Sequence, residues 1–134
     1  MAEFLLNHMA GMRGMGECVW AASAATSREE LGNGVHPGTK RVLSRLGVDC
    51  SQKRAVQLTR ADYEAYDLIL CMDEANVRNT LRILGGDPGR KVRRLLDGTR
   101  RPRDIADPWY TGDFEATRRD VEEGCAVLLD QLEQ

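Results

Sequence analysis

Asp67-Leu-Ile-Leu-Cys-Met-Asp73 is the most informative segment of this chain. Between its two aspartates it is apolar throughout, and a continuous apolar run is typical of a β-strand that is covered on both faces. Asp73 follows at the position of a helix N-cap, and Val77, Leu81 and Leu84 then repeat at helical spacing before a pair of glycines. A strand that leads directly into a helix indicates an α/β domain.

Further strands and helices are predicted on both sides of this segment. Before it come a helix over Met1–Met9 that ends in the glycine-rich run of residues 11–16, a strand at Cys18–Ala22, a helix around Val42, Leu43 and Leu46, and a short helix after Thr59. After it come a strand around Val92, Leu95 and Leu96 and a final helix that starts at Asp113 and buries Phe114, Val121, Cys125, Leu128 and Leu132. We therefore predict a single domain over residues 1–134, with a three-layer α/β/α fold and a mainly parallel sheet.

Composition and charge exclude several classes of protein. With 134 residues and a formal net charge of −2, the chain is large enough for one core and lacks the strong positive charge of a general nucleic-acid-binding protein. It contains no apolar segment long enough to cross a bilayer, and its N-terminus has no secretory signal pattern. We therefore expect a cytoplasmic protein that binds no nucleic acid and does not insert into a membrane.

The cysteines and histidines do not suggest a metal site. The 4 cysteines are unevenly spaced without a Cys-x-x-Cys pair, and only 2 histidines are available. We therefore expect free thiols in a reducing compartment, with no metal, no cofactor and no disulfide framework. The residues are Cys18, Cys50, Cys71 and Cys125, with His8 and His36.

A candidate for chemistry lies in the stretch Asp104–Phe114. Pro108 fixes its own φ and keeps Asp107 out of the helical region, so the carboxyl group is held on a stiff corner. Trp109 and Tyr110 place flat apolar rings beside it. A carboxyl group next to aromatic surface is partly desolvated, which raises its pKa and suits a general acid. The alternative is an ordinary turn whose two rings cover the core.

Several short motifs follow one another along essentially the whole chain. They are Met1-Ala-Glu3, Ser23-Ala-Ala-Thr-Ser27, Gln57-Leu-Thr59, Asp67–Asp73, and Asp107-Pro-Trp-Tyr110 with Asp113-Phe-Glu115. In this combination and order the chain resembles the low-molecular-weight protein-tyrosine phosphatase family. The resemblance implies hydrolysis of a phosphotyrosine protein or peptide through a cysteinyl-phosphate intermediate, without metal, on a four-stranded parallel sheet.

The resemblance also implies roles for individual residues. Asp107 matches the general acid of an Asp-Pro-aromatic loop, and Trp109 and Tyr110 match the aromatic residues that line the slot for the substrate ring. The family usually has tyrosine at the position of Trp109, so the larger indole ring affects the expected width of the substrate pocket. Ser23 matches a serine that supports the phosphate loop from behind.

The chain departs from the family pattern in its nucleophile. The family carries a Cys-x5-Arg-Ser-Pro phosphate loop directly before the Met-Ala-Glu motif, and its first, central strand precedes that loop. No cysteine here has an arginine six residues later, because those positions hold Ala24, Val56, Val77 and Gln131. We therefore expect a proton donor without a nucleophile, no turnover by residues 1–134, and a first methionine that is internal to a longer protein.

Two other functions fit part of the pattern. A thioredoxin-coupled arsenate reductase shares this fold, but it requires two further cysteines that can form a disulfide near the site. A non-catalytic phosphopeptide-binding module would use the aromatic slot and the basic segment Arg90–Arg103, which is otherwise a solvated face.

Overall fold

The computed structural model describes residues 1–27 and 32–133, and of Trp109 it describes the backbone. The helices are α1 (Ala2–Met12), α2 (Pro37–Arg45), α3 (Arg60–Ala65), α4 (Glu74–Leu84), α5 (Pro108–Thr111) and α6 (Phe114–Leu132). The strands are β1 (Ile69–Cys71) and β2 (Val92–Arg94), and a 3₁₀ turn at Leu95–Gly98 follows β2 directly. Within this described part, no helix is both long enough and apolar enough to cross a membrane.

The sheet is parallel. β1 pairs with β2 in a register that sets Ile69 opposite Val92 and Cys71 opposite Arg94. A parallel pair needs a crossover connection, and α4 lies in the connection between these two strands. An isolated parallel bridge joins Ala25 to Gln57. The prediction of an α/β fold with a parallel sheet is confirmed.

Local capping signals fix the helix that follows β1. Asp73 has an extended backbone, and its Oδ1 accepts a hydrogen bond from the Asn76 N–H at 2.7 Å. This satisfies one of the N–H groups that a helix start leaves without a partner. At the other end Gly85 takes a left-handed conformation with φ 78°, which only glycine adopts readily. Both ends of α4 are therefore set by residues that the sequence marks.

The core is built around α6, which packs against α1 and against the 3₁₀ turn. Gly124 lets the 3₁₀ turn approach α6 closely, because a Cβ atom at this position would lie 2.5 Å from Cγ of Leu95. The fully or nearly fully buried residues of the core are Leu5, Leu6, Ala10, Leu43, Cys50, Leu95, Leu96, Ile105, Val121, Cys125, Leu128 and Leu129.

Residues 18–22 do not form the predicted strand. Cys18 is exposed, and the backbone of Ala21 is bonded to a side chain instead of to a neighbouring strand. Its N–H donates to Oδ1 of Asn7 at 2.7 Å, and its carbonyl accepts from Nδ2 of the same residue at 2.9 Å. A β-strand needs a hydrogen-bonded strand beside it, and this apolar run instead begins in a turn, where the Cys18 and Val19 N–H groups both donate to the Met15 carbonyl.

The cover expected on both faces of β1 is incomplete. Cys71 is buried, whereas Ile69 and Leu70 are only half-buried. In the described residues β1 has a paired strand on one edge only, which is β2. The apolar sequence predicted the position of β1 correctly. The burial of its side chains also depends on the strands beside it, and in the described residues only one edge of β1 has a neighbouring strand.

Three further boundaries differ from the predictions. α1 continues through Gly11, because one glycine in a helix costs only about 1 kcal/mol. The predicted strand around Val92 is short, and Leu95 and Leu96 lie in the 3₁₀ turn, where both are buried. Leu132, expected on the buried stripe of α6, is 46% exposed near the end of that helix.

Candidate active-site region

The loop before Asp107 is fixed by two hydrogen bonds. Ile105, which is 2% exposed, donates its N–H to the carbonyl of Met72 at 2.9 Å. The next residue, Ala106, accepts a hydrogen bond at its carbonyl from Oγ1 of Thr117 at 3.1 Å. One bond ties the loop to the end of β1 and the other ties it to α6.

Asp107 stands at the start of α5. Its carbonyl accepts the N–H groups of Tyr110 at 3.1 Å and Thr111 at 3.3 Å, while Pro108 occupies the first helical position, where it needs no N–H. The residue is exposed, and Tyr110 is 86% exposed. Tyr110 therefore does not bury Asp107, because α5 carries its ring outward into solvent.

The basic segment Arg90–Arg103 is partly neutralised by acidic partners. Arg94 pairs with Asp97 and Asp104, each at 2.9 Å. Arg103 contacts two acidic side chains of α6, Asp120 at 2.8 Å and Glu123 at 3.2 Å. Two of the arginines in this segment therefore hold the fold around the Asp107 loop, which weakens the interpretation of the whole segment as an anion-binding rim.

Ser23 belongs to a second cluster, centred on Glu3. The Ser23 N–H and Oγ both donate to Oε1 of Glu3, at 2.7 Å and 3.0 Å. Nζ of Lys53 lies 2.8 Å from the same carboxylate oxygen and 3.2 Å from the Ser23 carbonyl. Partial burial would raise the pKa of Glu3, but the hydrogen bonds from Lys53 and Ser23 outweigh it and hold this pKa below its ordinary value.

An open cavity of about 660 Å³ lies between residues 18–24, the start of α1 and β1. Glu3, Ser23 and Lys53 line one part of it, and Met72 lines another. Asp107 is not among the residues around this cavity. The predicted site residues thus fall into two groups, which meet at Met72 because its carbonyl also holds the Asp107 loop.

Cys71 and Cys125 are not activated as nucleophiles. Burial raises the pKa of the Cys125 thiol to about 12, and it also raises the pKa of Cys71, whose Sγ lies 3.6 Å from Oγ1 of Thr80. A nucleophilic cysteine needs the opposite shift, toward the thiolate. Among residues 1–27 and 32–133, all four cysteines are free, and no cluster of three or more His, Cys, Asp or Glu side chains could hold a metal ion.

Comparison with known families assigns the chain. The family model described as low molecular weight phosphotyrosine protein phosphatase matches residues 1–134. This chain belongs to that family. The resemblance predicted from the sequence is confirmed.

Relatives in bacteria and animals support the assignment. The low molecular weight protein-tyrosine-phosphatase YfkJ of Bacillus subtilis is 30% identical over 136 residues, covering 100% of this chain and 87% of the relative. The low molecular weight phosphotyrosine protein phosphatase of Homo sapiens is 33% identical over 114 residues, covering 81% of this chain and 72% of the relative. Members of this family are protein-tyrosine phosphatases, a class of hydrolase.

Solved structures of the family share the fold. The crystal structure of YfkJ from Bacillus subtilis superposes with a TM-score of 0.93 at 30% identity, covering 98% of this chain and 84% of that one. The phosphatase SP-PTP from Streptococcus pyogenes gives a TM-score of 0.85 at 31% identity, covering 98% and 82%. The arrangement of helices and parallel strands described above is therefore that of this family.

Two residues that support the candidate site were not anticipated. Thr117 is 7% exposed and lies on the buried face of α6, four residues before Val121. Because residues four apart share one face of a helix, this spacing predicts that the Thr117 side chain is buried. Glu3 holds Ser23 from 20 residues away in sequence, and no local pattern signals that contact.

Replacing Thr117 by valine tests the anchor of the Asp107 loop. Valine keeps the shape of threonine but cannot donate to the Ala106 carbonyl, so we expect the free energy of unfolding to fall by about 0.5–1.5 kcal/mol. Amide exchange at Ile105 should become faster. Thr117→Ser keeps the hydroxyl and should leave that exchange rate close to wild type. Equal exchange at Ile105 in both variants would show that the hydroxyl does not anchor the loop.

The Glu3 cluster predicts a dependence of stability on pH. Because the pKa of Glu3 is lower in the folded than in the unfolded chain, its contribution is present above the unfolded value near 4.5 and is lost as the pH falls through the folded value. We expect urea unfolding of Glu3→Gln to show a smaller loss of stability below pH 4.5 than wild type. The exposed Glu64→Gln should follow wild type, and parallel curves for wild type and Glu3→Gln would contradict the prediction.

Proposed function

We propose that Asp107 is the general acid of phosphotyrosine hydrolysis and protonates the tyrosyl oxygen as it leaves phosphorus. The observation that carries this proposal is the placement of its carboxyl group, which is exposed at the start of α5. The backbone before it is fixed by the bonds from Thr117 to Ala106 and from Ile105 to Met72. A fixed and accessible acid meets a substrate oxygen in a defined orientation, which proton transfer in the transition state requires.

The same loop supplies a surface for the substrate ring. Tyr110 is 86% exposed, and a flat ring kept in solvent beside an acid offers a stacking surface for a phenyl group. By family resemblance Trp109 lines the same slot, and an indole where tyrosine is usual alters its width. Pro108 supports the loop by fixing the start of α5, and Ser23 supports the phosphate loop from behind.

The covalent step needs a thiolate and a guanidinium. The thiolate attacks phosphorus, and the sulfur–phosphorus bond forms as the bond from phosphorus to the tyrosyl oxygen breaks, while Asp107 gives that oxygen its proton. Water then attacks the cysteinyl phosphate, the thiolate leaves, and the Asp107 carboxylate takes up a proton from the water. A guanidinium and backbone N–H groups stabilise the equatorial phosphate oxygens.

Residues 1–134 lack a cysteine and an arginine at the spacing that this step uses. The raised pKa values of the Cys71 and Cys125 thiols argue further against either as the nucleophile. They also argue against the arsenate reductase function, which requires reactive thiols. We propose that residues 1–134 alone give no turnover.

The proposed substrate is a phosphotyrosine protein or peptide, and the proposed compartment is the cytoplasm. The free cysteines, three of which are buried, fit a reducing environment. A net charge of −2 gives no support to binding of nucleic acid.

A leaving-group experiment tests the role of Asp107. With a Cys-x5-Arg-Ser-Pro segment joined before Met1, Asp107→Asn should lower kcat for phenyl phosphate by about 10²–10⁴-fold, the typical contribution of general acid catalysis. The loss should be smaller for p-nitrophenyl phosphate, because its leaving oxygen is less basic and needs less protonation.

Asp130→Asn is the control, because Asp130 is an exposed aspartate that pairs with Arg13 on the surface. It should leave both rates close to wild type. An equal loss for the two substrates in Asp107→Asn would remove Asp107 from the role of proton donor. Saturable binding of a phosphotyrosine peptide without hydrolysis by the extended chain would favour the phosphopeptide-binding function.

A further inference from the structure

The ring of Phe114, the first residue of α6, packs against the start of α2. Phe114 is half-buried and is not one of the core residues. Its ring stacks on the imidazole of His36, with the two centroids 4.9 Å apart and 21° between the ring planes. Aromatic rings attract each other at this distance beyond the area that they bury. The ring therefore connects two helices and does not serve the core.

Gly38 provides the second surface that holds this ring. A Cβ atom at Gly38 would lie 2.5 Å from Cζ and 2.6 Å from Cδ2 of Phe114, so the ring lies directly against the glycine backbone. The backbone of Gly38 does not itself require glycine, because its φ is not positive. The contact with Phe114 is therefore the reason that a side chain is excluded at this position.

His36 makes two separate contacts with its side chain. As the N-cap of α2, its Nδ1 accepts a hydrogen bond from the Gly38 N–H at 3.0 Å, which satisfies one of the N–H groups at the helix start. The face of the same imidazole stacks on Phe114. The hydrogen bond fixes the orientation of the imidazole, and the imidazole in turn fixes the Phe114 ring.

Two hydrogen bonds connect the start of α6 with the backbone of Asp107. The Asp113 N–H donates to Oγ1 of Thr111 at 3.2 Å, and the Thr111 N–H donates to the Asp107 carbonyl at 3.3 Å. Thr117, which anchors the other end of this loop, lies three residues after Phe114 on α6. A displacement of the first turn of α6 therefore acts on the Asp107 loop from both of its ends.

We propose that His36 is a positioning residue for the general acid. Its ring holds Phe114 against Gly38, Phe114 holds the first turn of α6, and that turn holds the backbone of Asp107. An acid that is ordered before the substrate binds loses less entropy when it transfers its proton. The inference rests on the proposed function of Asp107 and adds to it a residue that acts from the cap of α2.

Two simpler accounts of these contacts make different predictions. If His36 served only as the N-cap of α2, its ring would have no effect on the Asp107 loop. If the ion pair between Arg45 and Glu115, at 2.7 Å, held α2 and α6 together, the ring would again have no effect. This pair is exposed to solvent, and exposed ion pairs stabilise little.

Two substitutions separate the ring of His36 from its capping atom. His36→Asn keeps a side-chain oxygen that accepts from the Gly38 N–H, but it has no ring to stack on Phe114. His36→Phe keeps a flat ring for the stack but has no acceptor, so its melting temperature should fall by a few degrees.

The measurement is the backbone order parameter from nitrogen-15 relaxation of residues 1–134. We expect a value of about 0.85 at Asp107 and Thr111 in wild type and in His36→Phe, and a value below about 0.6 in His36→Asn. The Ile69 amide is the reference in every chain, because its N–H is bonded within the pairing of β1 with β2. Its order parameter should not change.

The outcomes separate positioning from capping. Loss of order at Asp107 in His36→Asn, with normal order in His36→Phe, supports the proposal. Normal order in His36→Asn, or any loss of order in His36→Phe, overturns it. Low order at Asp107 in wild type, or a loss that includes Ile69, overturns it as well. None of these results depends on hydrolysis, so failure of this inference is distinguishable from failure of Asp107 in the leaving-group experiment.

A matched pair of glycine substitutions gives a second test. Gly38→Ala places a Cβ atom where the Phe114 ring lies, so the order parameter at Asp107 should fall below about 0.6. Gly11→Ala is the control, because Gly11 is a helical glycine of α1 with no other atom within 4 Å of its Cβ position. It should leave Asp107 as ordered as in wild type. Normal order at Asp107 in Gly38→Ala would contradict positioning through Phe114.

Discussion

The hydrogen bonds between β1 and β2 are the interaction on which the rest of this structure depends. They fix β1 by one edge, with Ile69 donating to the Lys91 carbonyl. Where β1 ends, Met72 presents its carbonyl to Ile105 and so sets the path of the loop that carries Asp107. The opposite edge of β1 has no strand beside it in the described residues, and the open cavity lies there. Asp107 and the cavity are therefore both positioned by one short strand, the first from its end and the second along its open edge.

Under the proposed function, residues 1–134 carry the proton donor of the reaction and not its nucleophile. The loop of the proposed general acid is anchored at Ala106 and Ile105, and Asp107 is exposed at the start of α5. The nucleophile side has no activated thiol among the cysteines whose pKa is shifted, since burial favours the protonated form of Cys71 and Cys125. A proton donor accelerates the departure of tyrosine only when something attacks phosphorus, so the two sides have to be joined for turnover.

The sequence predicted those parts of the fold that depend on local signals. β1 and α4 were found because an apolar run, an N-cap aspartate and a left-handed glycine follow one another within 19 residues, from Asp67 to Gly85. The strand predicted at Cys18–Ala22 was wrong because an apolar run becomes a strand only beside another strand, and Asn7 bonds to this one instead. Family resemblance proposed roles for Asp107, Tyr110 and Ser23, but it did not predict the outward position of Tyr110, which depends on how α5 packs. The bond from Glu3 to Ser23 likewise depends on tertiary contacts.

The most direct test of the central claim, that these residues carry the acid and not the nucleophile, is to look for a covalent intermediate. Residues 1–134 are incubated with an aryl phosphate, quenched in acid and digested, and the cysteine peptides are measured by mass spectrometry. The account predicts no phosphocysteine at Cys18, Cys50, Cys71 or Cys125. A phosphorylated cysteine at any one of these positions, formed at the rate of product release, would contradict it.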